Sequence, residues 1–79
     1  MMYIGILHTP SETRRTGLLE AHNMAYHAVS ALSKGKHDQI SVLEITRYRK
    51  QGDEYLLLTR SGMVASRTKD ENVIRRLRK

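Results

Sequence analysis

The sequence predicts a two-layer α+β domain: a three- to four-stranded antiparallel sheet with one long amphipathic helix on one face. Three observations lead there. Leu18, Ala21, Ala25, Ala28 and Leu32 step by three and four residues, so they form one stripe of a helix, which Val29 widens. An apolar run over 1–7 precedes that stripe, and three further β-rich runs follow it. Glycine turns separate the later runs.

Taken in order, Met1 to Leu7 reads as a strand through Tyr3, Ile4, Ile6 and Leu7, with Gly5 at its centre. Thr9-Pro10-Ser11-Glu12 has capping-box spacing. However, a helix begun there would place Arg14 on the apolar stripe, and Thr16-Gly17 interrupts the run. A loop is therefore expected over 10–16, with the helix beginning at about Gly17. Glu20, Asn23, His27, Ser30 and Lys34 occupy its wet side. Gly35 suits the left-handed residue that ends a helix.

Gln39 to Arg49 is a second strand, yet neither of its alternating sets is cleanly apolar, which predicts a bulge near Val42–Leu43 or a covered second face. Lys50-Gln51-Gly52-Asp53 turns the chain into a third strand, Glu54 to Arg60, centred on Leu56-Leu57-Leu58. Ser61-Gly62 turns again into a fourth, Met63 to Arg67. Thr68-Lys69-Asp70-Glu71 repeats the capping-box spacing ahead of Val73, Ile74 and Leu77, a short basic helix or tail over 68–79. The 79 residues make a single domain whose firm core ends near 67.

Charge is the main functional signal. The net charge is +6, but residues 1–46 hold four Lys/Arg against four Asp/Glu. Residues 47–79 hold ten against four, so the whole excess lies in the back half. With no Cys, neither a disulfide framework nor a thiolate metal site supplements the core. No long apolar run or signal-peptide pattern is present, and a soluble, cytoplasmic protein with no membrane partner is expected.

Catalytic and metal motifs are absent. His22 and His27 sit five apart, about 140° around a helix, where a chelating pair needs a spacing of four. His8 and His37 fall in predicted loops. No P-loop or nucleophile elbow occurs, so no cofactor, no metal and no enzymatic activity are expected. One enzymatic alternative is a toxin-type endoribonuclease acting through Arg47, Tyr48, Arg49, Lys50 and Tyr55 on a basic hairpin.

The better reading of that hairpin is binding. Arg47 and Arg49 share a strand face, Lys50 follows in the turn, and Arg60, Arg67, Arg75 and Arg76 add donors for phosphates. Tyr48 is placed to stack on a base. Phe and Trp are absent, which excludes a multi-base stacking platform and leaves mainly backbone contacts. A second alternative is a homodimer built on Leu19, Met24 and Tyr26 at the helix flanks, or on a second sheet face carrying Val42 or Leu43 and Leu57 or Leu58, with the charge serving solubility.

The layout of Met2–Leu7, Ala25–Lys36, Ile40–Ile45 and Tyr55–Leu58 resembles small phage-encoded anti-CRISPR proteins that inhibit type I surveillance complexes. That resemblance implies a rigid, non-catalytic decoy whose cations occupy the place of nucleic acid in a nucleoprotein complex. It also implies contacts from Lys34 and Lys36 at the helix end.

Overall fold

A computed structural model describes residues 1–35 and 38–78. The class is α+β, with the order β1 (Met2–His8), β2 (Thr13–Arg15), α1 (His22–Ser30), β3 (Gln39–Gln51), β4 (Glu54–Thr59), β5 (Val64–Thr68) and α2 (Glu71–Leu77). Among the described residues the sheet has five strands rather than three or four, all antiparallel, in the spatial order β2-β1-β3-β4-β5.

The added strand is the stretch expected to be a loop. Thr9 closes a tight turn: its N–H and hydroxyl donate to the Glu12 carbonyl at 2.8 and 2.9 Å, and its hydroxyl accepts from the Glu12 N–H at 2.9 Å. Thr9-Pro10-Ser11-Glu12 is thus a hairpin connection, and Thr13–Arg15 returns along β1. The pairing continues past β2. Leu19 donates to and accepts from Tyr3 at 2.8 and 2.7 Å, which holds Leu18 and Leu19 extended.

For that reason the helix starts at His22, not Gly17, and spans only nine residues. Leu18 leaves the helical stripe and joins the sheet core beside Ile4. Ala25 and Val29 carry the burial. Nor does Gly35 end the helix in a left-handed turn, since Gly52 and Gly62 are the only positive-φ glycines described. Instead the Asp38 carboxylate accepts from the Ser33 hydroxyl and from the Lys34 and Gly35 N–H groups at 3.2–3.4 Å.

The β3 bulge lies three to four residues beyond the expected Val42–Leu43 position. Ile45 pairs with Thr59 and Arg47 with Leu58, so Thr46 is the extra residue. This explains why neither alternating set was apolar: the side-chain phase reverses at Thr46. Before it, Leu43 and Ile45 face inward; beyond it, Tyr48 does. The inner face carries the main core, with Met2, Ile4, Leu18, Ile45, Tyr55, Leu57 and Ala65 packed against Ile74 of α2. Residues past 67 therefore belong to the core as well.

The outer face is covered differently. A Cβ on Gly5 would lie 2.8 Å from both the Ala25 carbonyl oxygen and the Val29 Cβ, so α1 rests on β1 at that glycine. The helices thus sit on opposite faces, α1 against β1 and β3 outside, α2 against β3 within. The sheet also curls until its two edges lie within reach of one side chain: Arg15 Nε of β2 donates to the Ala65 carbonyl of β5 at 3.1 Å.

A polar cluster fixes α2. Asp70 caps it by accepting from the Asn72 N–H at 2.9 Å. The Tyr55 hydroxyl donates to Glu71 Oε1 at 2.6 Å, and Arg78 donates twice to the Tyr48 hydroxyl at 2.9 and 2.7 Å. The hydrogen bond to Glu71, then burial, raise the Tyr55 pKa above the ordinary tyrosine value. A raised folded-state pKa means this contact stabilises α2 fully below the ordinary tyrosine range and is lost as pH climbs through the folded value. In a spectroscopic tyrosine titration, Glu71→Gln is expected to move the latest-ionising tyrosine to lower pH; an unchanged profile would contradict the Tyr55–Glu71 contact.

Candidate nucleic-acid interface

The reversal at Thr46 decides where the cations go. Beyond it, Arg47 and Arg49 turn outward, opposite Leu58 and Leu56. On the far side of β4, Leu56 pairs with Arg67 and Leu58 with Val64. Two cross-strand rows result on the outer face, Arg49-Leu56-Arg67 and Arg47-Leu58-Val64. By strand geometry, Arg47 and Arg49 start about 7 Å apart, and Arg49 and Arg67 about 10 Å apart across β4.

Leu56 and Leu58 are only 4% and 6% exposed, although α1 lies over β1 and β3. Arg47 and Arg49 on β3 and Arg67 on β5 flank these two leucines in register. The Arg47 head reaches the β4–β5 turn, where a Cβ on Gly62 would stand 2.8 Å from its Nη2. Gly62 takes φ +88, as this turn requires. Among the described residues, Arg47, Arg49 and Arg67 have no ion-pair or hydrogen-bond partner.

The other expected site residues lie elsewhere or are engaged. Arg60 pairs with Glu44 at 3.0 Å. Together with Arg76, Glu20 and Glu44 it lines a separate cavity of about 580 Å³. Arg75 and Arg76 project from α2, on the side of the sheet that the three outer arginines do not share. Lys34 follows α1 beside the Asp38 cap, and Lys36 lies outside the described residues.

Tyr48 turns inward, packed edge-on against Tyr55 at 5.5 Å between ring centres, with its hydroxyl held by Arg78. The Lys50 ammonium lies 5.7 Å from the Tyr55 ring centre. Arg47 and Arg49 are therefore separated by the sheet from Tyr48, Lys50 and Tyr55, and these five do not converge on one substrate. Of the histidines, His22 packs edge-on to Tyr3 and His27 to Tyr26, while His37 lies outside the described residues.

Arg15 was not among the expected site residues, yet it bridges the sheet edges. In the sequence only its neighbour Arg14 stands out, as a residue that would fall on the helical stripe. Comparison with protein-family models, curated proteins and solved structures yields no match.

Proposed function

We propose that the protein is a non-enzymatic binding module whose outer β3–β5 face grips nucleic-acid phosphates. The observation that carries this reading is the set of three guanidinium groups without a partner among the described residues, Arg47, Arg49 and Arg67, on one sheet face beside the buried Leu56 and Leu58. Guanidinium forks suit phosphate oxygens, and donors 7–10 Å apart on a stiff sheet serve neighbouring phosphates rather than one small anion. Tyr48 and Tyr55 are on the other face, so contact to the backbone with little base readout is the mode this surface favours.

Three neutralised phosphates imply a slope of about −2.7 in log affinity against log salt, or about a 40-fold loss between 50 and 200 mM. Fluorescence anisotropy with a labelled 20-base-pair duplex measures this directly. Affinity that is flat across that salt range would reject a phosphate-driven mode. The anti-CRISPR resemblance narrows the proposal to one specific form, in which the same face occupies the nucleic-acid position of a type I surveillance complex. Competition between this protein and target DNA for such a complex tests that form.

A further inference from the structure

A second surface, which shares only Arg67 with the outer arginines, lies where the sheet fails to close. Among the described residues, β5 has β4 as its only strand neighbour, and β2 is the opposite edge. Between them lies an open gap of about 520 Å³ lined by Arg15, Val64, Ala65, Ser66 and Arg67. Every other residue of an edge strand turns its N–H and C=O away from its partner, so β5 offers a row of backbone groups to this gap. One of them, the Ala65 carbonyl, is occupied by the Arg15 side chain at 3.1 Å. The other Arg15 donors and the Arg67 guanidinium have no acceptor among the described residues.

We propose that the β5 edge accepts an extended acidic peptide as a sixth strand, with Arg15 and Arg67 pairing its carboxylates. Main-chain hydrogen bonds supply the attachment and the two arginines supply the charge selectivity, as in recognition by strand addition. Arg15 serves as a placeholder: its Nε–H satisfies Ala65 in the free protein and is released to a carboxylate when an incoming N–H takes over that carbonyl. A second copy of this chain is a poor occupant, since pairing β5 with β5 would bring Arg67 and Arg15 of both copies to one seam, and like charges facing each other across strands are destabilising.

The test uses the full chain, isotope-labelled, with millimolar blocked peptide acetyl-(Glu-Val)3-amide. Amide shifts are expected to be confined to β5 and the Arg15 Nε–H, with one alternating set of Val64–Thr68 amides exchanging severalfold more slowly. The lysine counterpart, acetyl-(Lys-Val)3-amide, and an acidic peptide N-methylated at alternate residues are both expected to leave these signals unmoved. Arg15→Glu with Arg67→Glu should reverse the preference between the acidic and basic peptides. Arg49→Glu should leave peptide binding intact, which separates this site from the phosphate-binding face. Equal binding of the lysine peptide, equal binding of the N-methylated peptide, or no shift in β5 would each overturn the proposal. Both peptide controls act on unaltered protein, so they decide the matter even if the double variant fails to fold.

Discussion

Arg49→Glu with Arg67→Glu is expected to cost the protein at least a hundredfold in affinity for duplex nucleic acid, while Arg75→Glu with Arg76→Glu costs only severalfold. Both pairs change the net charge by the same amount, from +6 to +2. A difference between them therefore reports position rather than total charge. Arg49 and Arg67 flank Leu56 on the outer face, whereas Arg75 and Arg76 stand on α2. Two charge-assisted contacts are worth about 3–6 kcal/mol, which is a hundredfold or more in affinity. Loss at the α2 pair arises from the long-range field alone, which salt screens beyond about 10 Å. All four residues are exposed, so the thermal midpoints of both variants should stay near that of the parent. Equal losses from the two pairs would mean that the protein attracts its ligand by net charge and has no defined face.

The largest stability effect is expected at Gly5. Its missing side chain is what lets α1 lie on β1: an added Cβ would meet the Ala25 carbonyl oxygen and the Val29 Cβ, each at 2.8 Å. The first of these is backbone and cannot rotate away. Gly5→Ala must lift the helix or bend the strand, and overpacking of this kind costs about 1–3 kcal/mol. For a domain of this size, each kcal/mol lowers the thermal midpoint by roughly 4–8 °C. Gly17→Ala is the matched control. A Cβ there meets nothing within 4 Å and the backbone is not in the left-handed region, so that change should be neutral or stabilising by about 0.4–1 kcal/mol. A scanning-calorimetry series on the two variants checks the contrast. Equal midpoints would mean that α1 does not rest on β1 at this glycine.

Residues whose neighbours are close in sequence were readable beforehand. The turn at Gly52, with its φ of +63, follows from a glycine between two β-rich runs, as do β3, β4 and β5 themselves. The start of α2 was legible to within a residue or two for the same reason: Asp70 and Thr68 bond to backbone two residues away. The misread elements depend on partners far along the chain. Leu18 has the spacing of a helical stripe, but Tyr3 takes both backbone bonds of the adjacent Leu19 and keeps the segment extended. Arg15 reaches a carbonyl fifty residues away.

The position of the bulge had the largest functional consequence. Arg47 and Arg49 share a face in any register, but whether Tyr48 shares their environment and whether Arg67 joins them depends on Thr46 and on the irregularity between Leu57 and Leu58. The sequence announced a break in phase through two impure alternating sets. It could not place that break, because only the pairing of Ile45 with Thr59 and Arg47 with Leu58 locates it. A one-residue slip moves every later side chain to the opposite face. The cations were legible as a group by composition; their division between the outer face, α2 and the Glu44 ion pair was not.

Backbone and side-chain shift mapping of the labelled protein against a 20-base-pair duplex at low salt is the most direct measurement of where the ligand sits. Shifts centred on the guanidinium signals of Arg47, Arg49 and Arg67, with the Leu56 and Leu58 methyl groups moving beneath them, are the predicted result. A footprint centred instead on α2 and the Tyr48–Tyr55 side of the sheet would contradict the assignment.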